Sequence, residues 1–242
     1  MWSKLTSEQR REYFLLLIIA GLYFCSSSMM LYVPRYVISL GGDPAKVGQI
    51  ISLAIIPFIL FSVFSGQTSA RFGSRWLIVA GCLIHFFSRM TYPYLEQFGW
   101  PLYMLSLING LGHVLVFTPL FAAVARSIPD RHKAEGIGYF TIAIQLGNTV
   151  GTSLGESVLN RYDYPTFFVT TALLVLLSAL TSLALKDRGE TITIDTPSSA
   201  KFQFNQITPL LGGLLIILLL GGILGSALQF IPIFFDYLYS SG

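Results

Sequence analysis

Gln145, Asn148, Thr152 and Glu156 are spaced by three, four and four residues, which puts them on one face of a helix. Their surroundings are apolar or small, and a polar face inside an apolar segment must turn toward protein or water, because lipid satisfies no hydrogen bond. Glu156 is the one carboxylate expected within a membrane span. There it would take up and release a proton or hold a cation. The competing reading is that it lies within a turn of the outer surface and simply reaches water. Gly147, Gly151 and Gly155 recur at four-residue intervals in the same run, a small-residue stripe that lets two membrane helices approach closely.

Asn109, Gly110, Gly112 and His113 lie near the centre of another apolar run. An imidazole at mid-bilayer needs a polar partner, so His113 is either hydrogen-bonded to a neighbouring helix or turned toward a wet cavity. Arg35, close to Tyr23, Ser26, Ser27, Ser28, Tyr32 and Pro34, would sit at the outer mouth. It attracts an anionic solute there, or snorkels to the interface. Arg89 falls about six residues from the outer end of its segment, roughly 9 Å below the interface at 1.5 Å per residue. Snorkelling is the expectation for it, ahead of a buried pair with Glu156.

These side chains need long apolar rods to hold them. Of the 242 residues, 53% are hydrophobic and 11% charged, and the mean hydropathy is +0.67. That charge fraction cannot cover a water-facing surface, so the solvent is mostly lipid. Seven segments are long enough to cross a bilayer, at about 20 residues each: 13–36, 47–70, 76–95, 101–125, 136–159, 165–185 and 207–231. The expected fold is an all-α membrane bundle. Its 15 Lys and Arg, against 12 Asp and Glu, lie mostly outside the apolar segments and form no aromatic-interleaved basic patch, so nucleic acid is not a partner. Cys25 and Cys82 lie inside apolar runs, which argues against a disulfide framework, and no Cys/His spacing suits a metal. No nucleophile elbow, zincin motif or phosphate loop is present, so neither an enzyme nor a cofactor is expected.

Alternate sides of the membrane carry unequal basic charge. Lys4, Arg10, Arg11, Arg71, Arg75, Arg126, Arg131, Lys133, Lys186, Arg188 and Lys201 fall on one side, against Arg35, Lys46 and Arg161 on the other. Positive charge marks the cytoplasmic face, so the amino terminus is expected inside the cytoplasmic (inner or plasma) membrane. A cytoplasmic amino terminus argues against a G-protein-coupled receptor, and the lysine-free seventh segment against a retinal protein. Residues 186–206 are rich in Asp, Glu, Ser and Thr without helical periodicity and read as a cytoplasmic linker. Residues 1–185 would form a six-helix bundle. Residues 207–242 hold the seventh segment, whose Gly221 and Gly225 again suggest a packing face.

Between the second and third segments, Gly66–Arg75 reads Gly-Gln-Thr-Ser-Ala-Arg-Phe-Gly-Ser-Arg. Gly66, Arg71, Gly73 and Arg75 fall on the pattern of the helix 2–3 loop of the major facilitator superfamily, with Ala70 where that family has aspartate. The run Gly151-Thr-Ser-Leu-Gly155-Glu156 is similar to the helix 5 motif of that family's antiporters, with Thr152 in place of proline. Ser106-Leu-Ile-Asn-Gly110-Leu-Gly112 resembles its helix 4 motif, with Ser106 where an arginine associated with proton coupling stands. The resemblance covers about residues 13–230 and implies the amino-terminal half of such a transporter plus helix 7, with a cavity lined by helices 1, 2, 4 and 5.

What this implies is a secondary transporter moving a small solute across the cytoplasmic membrane by alternating access, as proton-coupled efflux or antiport. Arg35, Asn109, His113, Gln145 and Asn148 would bind the solute. Glu156 and His113 would couple protons, and Gly66, Arg71, Gly73 and Arg75 would gate. A chain ending after seven helices is either a piece of a longer transporter or a short version that needs a second copy or a missing carboxyl-terminal half. The alternative function is a transport-inactive membrane scaffold or assembly factor, suggested by the departures at Ala70, Ser106 and Thr152.

Overall fold

Side-chain caps set where three of the helices start. The computed structural model describes residues 6–186, with the backbone alone at 63–64, 66–67 and 70–72. The linker beyond Lys186, the seventh segment and Gly221 and Gly225 lie outside the described residues. Thr6 and Gln9 form a capping box that opens α1, Ser7–Met29. A short 3₁₀ turn joins α1 to α2, Val33–Ser39. Asp43 accepts from the Lys46 backbone N–H at 2.9 Å and, with Pro44, starts α3, Pro44–Phe72. Then follow α4, Ser74–Thr91, α5, Trp100–Ser127, α6, Lys133–Arg161, and α7, Tyr164–Ser182. Asp163 caps α7 by accepting from the Thr166 N–H at 3.0 Å. Among the described residues there is no strand.

The bend expected over Gly66–Arg75 is concentrated at one residue. α3 continues through Phe72, and Gly73 alone, at φ 80° and ψ 150°, separates it from α4. An L side chain is strained at such a φ, which is why glycine stands there. Gly66 and Arg71 lie in the α3 backbone; the Arg71 side chain is outside the described residues.

The Asp163 carboxyl sits below its ordinary 3.8, chiefly because it accepts from Thr166. A depressed folded value means that the cap stabilises above the ordinary range and is lost as pH falls through the lowered value. Asp163→Asn keeps the cap and removes the titration. It is expected to flatten the acid limb of thermal unfolding below about pH 4, and an unaltered acid limb would refute the assignment.

By length and apolarity, Ser7–Ser39, Pro44–Ser62, Trp100–Ser127 and Tyr164–Ser182 can cross a membrane. α4 and α6 are as long as a span requires but carry more polar side chains. This is a multi-pass, all-α membrane protein. Ile59, Leu60, Phe87 and Leu146 are exposed, which lipid tolerates and water would not. Inside, α1 packs on α6 and α7, α3 on α5, and α4 on both α5 and α7.

Two apolar clusters fill the core. One joins Tyr13, Ile19, Tyr23, Ile78, Cys82, Val116, Leu120 and Val175. The other joins Met29, Tyr36, Val37, Tyr92, Leu102, Leu105, Phe167 and Phe168. Along α1, α4, α5 and α7 the buried polar residues Ser26, His85, Ser88, Arg89, Ser106 and Thr171 come in sequence between the two clusters. The core is thus layered: apolar, polar, apolar.

Candidate functional site

Three helices converge on Tyr23. Its hydroxyl lies 3.0 Å from His85 Nε2 and 2.7 Å from His113 Nδ1. His85 Nδ1 is 3.0 Å from Asn109 Oδ1, and Asn109 Nδ2 donates to Leu105 O at 2.8 Å and Ser88 Oγ at 2.9 Å and lies 3.3 Å from Tyr92 Oη. Tyr23 comes from α1, His85 and Ser88 from α4, and Asn109 and His113 from α5, so no single helix could assemble this chain. Tyr23 is fully buried and His85 nearly so, whereas His113 is half-buried. Around His113 stand Phe24, Phe58 and Phe117, with ring centroids 6.5, 5.6 and 5.8 Å away. The close approach of α4 and α5 depends on Gly112, where a Cβ would come within 3.1 Å of the His85 ring.

One turn beyond His85, Arg89 is 1% exposed. It donates to Ser26 Oγ and, at 3.2 Å, to Thr171 O, while Ser26 Oγ also donates to Thr171 O. Snorkelling, expected from its depth, does not occur. The guanidinium points sideways into the junction of α1 and α7, where a hydroxyl and a helix carbonyl stand in for water. Its Nε has no partner among the described residues, and no carboxylate pairs with it there.

A second polar group forms where α1 and α2 meet α6. Tyr32 Oη donates to Glu156 Oε2 at 3.0 Å and lies 3.2 Å from Thr152 O. The Arg35 guanidinium sits 5.3 Å from the Tyr32 ring centroid. Glu156 is on the exposed side of α6, and so is Gln145, which accepts from Asn148 Nδ2 at 3.1 Å. The glycine stripe on α6 faces α1: a Cβ at Gly147 would come within 2.5 Å of Gly21 O, and one at Gly151 would collide with Cys25 O and Ser28 Oγ. Arg75, at the start of α4, donates to Leu185 O at 3.3 Å and packs on Trp76.

The structure therefore brings Asn109 and His113 into one network, and Arg35 and Glu156 into another through Tyr32. Sequence reasoning missed His85, Ser88, Tyr92 and the pairing partner Tyr23. A signal existed: Cys82, His85, Ser88 and Arg89 follow at steps of three, three and one, which places them along one side of a helix. Nothing local pointed to Tyr23 as their partner, since the contact joins residues 62 and 90 apart.

Comparison with known proteins agrees with this architecture. The chain is 27% identical to the multidrug resistance protein MdtH of Salmonella paratyphi B (strain ATCC BAA-1250 / SPB7) over 192 residues, 77% of this chain and 46% of that protein. The MdtH proteins of Salmonella newport (strain SL254) and Salmonella enteritidis PT4 (strain P125109) match over the same shares at the same identity. The chain thus spans about half the length of the curated relatives it matches. The family model for the Major Facilitator Superfamily matches residues 14–242. With that match over nearly all of its length, on an all-helical membrane bundle, the chain belongs to the Major Facilitator Superfamily of transporters.

Proposed function

We propose that the chain works in a secondary active transporter that moves a small, drug-like solute out across the cytoplasmic membrane in exchange for protons. Ionisable groups set between two apolar clusters carry this reading: a group that changes charge in such a layer suits alternating proton binding. The multidrug resistance for which the MdtH relatives are named supports the solute class. In this reading the amino terminus is cytoplasmic, residues 1–185 are one rocking body, and residues 186–206 connect it to a second body opened by residues 207–242. Arg35, Asn109, His113, Gln145 and Asn148 contact the solute, and Glu156 and His113 exchange protons. Gly66, Arg71, Gly73 and Arg75 form the cytoplasmic latch.

Glu156→Gln keeps an acceptor for the Tyr32 hydroxyl but cannot release a proton. Proteoliposomes holding the variant are expected to lose ethidium flux driven by a pH gradient by at least about a hundredfold, with an unchanged circular dichroism spectrum. Undiminished flux would remove Glu156 from the mechanism. Absence of flux from the wild-type 242-residue chain would remove transport by this chain alone.

A further inference from the structure

We infer that Tyr23 and His85 extend the proton site at His113 into an internal relay, with His113 as its outer end and His85 as its inner end; the use of this relay in transport rests on the coupling role given to His113 above. The direction of every hydrogen bond in the chain follows from one end. Leu105 O is a backbone carbonyl and only accepts, so the Asn109 group beside it at 2.8 Å is the NH₂. The Asn109 oxygen then faces His85 Nδ1 at 3.0 Å, and this nitrogen must carry a proton. In a neutral imidazole the other nitrogen is a bare acceptor. His85 Nε2 therefore receives the Tyr23 proton at 3.0 Å. With its proton so engaged, the Tyr23 oxygen accepts from His113 Nδ1 at 2.7 Å, which leaves His113 Nε2 as the free acceptor.

Among the described residues, an incoming proton enters this chain of groups at His113 Nε2, to which it bonds. The Nδ1–H bond of His113 breaks as that proton forms a new O–H bond on Tyr23, and the original Tyr23 proton bonds to His85 Nε2. One proton enters, three N–H or O–H bonds form or re-form, two break, and a single positive charge moves from His113 to His85. Release runs the same steps backwards. The path ends at His85, because an amide oxygen such as that of Asn109 has no proton affinity in the working range. Burial agrees with the direction: His113 is half-buried while Tyr23 and His85 are closed off.

Among the described residues, the groups facing this relay are few. α1 contributes Tyr23, α4 contributes Cys82 and Arg89, α5 contributes His113, and Tyr92 follows α4. α3 offers Phe58, and α7 only the hydroxyls of Thr171 and Ser178. Arg89 is the fixed charge among them, held on Ser26 and Thr171 rather than on either imidazole.

The chain has three histidines, so ¹⁵N-histidine spectra of the full 242-residue protein in nanodiscs can be assigned with His132→Gln and His113→Gln. The expected result is a Nδ1–H tautomer on both neutral rings and a single titration felt by His85 and His113 over the same pH range. In Tyr23→Phe, His113 should titrate alone, with His85 fixed. Independent titration of the two rings in the wild type, or a Nε2–H tautomer on neutral His85, would overturn the relay. Should Tyr23→Phe fold poorly, His85→Gln reads the same coupling from the other end: a displaced His113 titration supports it and an unmoved one overturns it. Ethidium flux in the same variants separates the two ideas. Coupled titration together with pH-driven flux unaffected by Tyr23→Phe upholds the relay and overturns the coupling role, whereas a loss of at least about tenfold, with exchange at equal pH retained, supports both.

Discussion

Gly151→Val is expected to abolish the native bundle. The Cβ of any residue at 151 would collide with the backbone oxygen of Cys25 and with Ser28 Oγ. A flexible side chain can rotate away from such a clash, but a helix carbonyl cannot. α6 would have to move off α1, losing the Tyr32–Glu156 bond and the 2.6 Å bond from the Tyr13 hydroxyl to Gly136 O. Overpacking of this kind costs about 3 kcal/mol or more, a large share of a membrane domain's margin. Gly138 on the same helix has open space, with nothing within 4 Å of where a Cβ would stand. Gly138→Ala is therefore expected to be neutral or to stabilise by about 0.5–1 kcal/mol through backbone entropy. Gly155→Ala falls between them, since its Cβ would meet the Tyr32 ring at 3.0 Å, a side chain able to shift. Fluorescence-detected size exclusion after a heating series ranks the three. A Gly151→Val protein that melts with wild type would refute the close α1–α6 approach.

Ser26→Ala should be costly in the wild type and nearly free in Arg89→Met. Among the described residues, the Ser26 hydroxyl is one of two acceptors for a guanidinium almost fully removed from solvent. Hydrogen bonds to buried charges contribute about 1.5–3 kcal/mol, and removing one partner leaves the charge under-solvated. Methionine fills similar volume without charge, so in the Arg89→Met background Ser26→Ala leaves no buried charge under-solvated and removes only the donation to Thr171 O. The double-mutant cycle in thermal stability is expected to show coupling of about 1–3 kcal/mol. Additive effects would mean that Arg89 is solvated in some other way. A buried arginine with no carboxylate beside it among the described residues is hard to keep charged, and this cycle measures how the bundle does so.

The hydropathy of the chain already contains its helices, because a backbone in hydrocarbon must satisfy its own hydrogen bonds. The expected segments 101–125 and 165–185 sit within a few residues of α5 and α7, and the ends differ where caps decide them, as at Asp163. The four-residue spacing of Gly147, Gly151 and Gly155 likewise announces a close helix contact. Local spacing cannot say which helix lies opposite, and here α1 does. Arg89 shows the limit most clearly: its depth suggests reach to the interface, yet its direction from α4 points it at α1 and α7.

What the order of residues determines by itself is therefore one-dimensional: apolar runs, their polar interruptions, the glycine that permits the turn at position 73, and the family pattern. Only the packed bundle decides that Tyr23 stands between His85 and His113. Those three groups lie on three helices, and a hydrogen bond of about 3 Å depends on how the rods are rotated and how closely Gly112 lets two of them meet. Rotation and approach are set by the summed contacts of both apolar clusters, a property that no single stretch of the chain encodes.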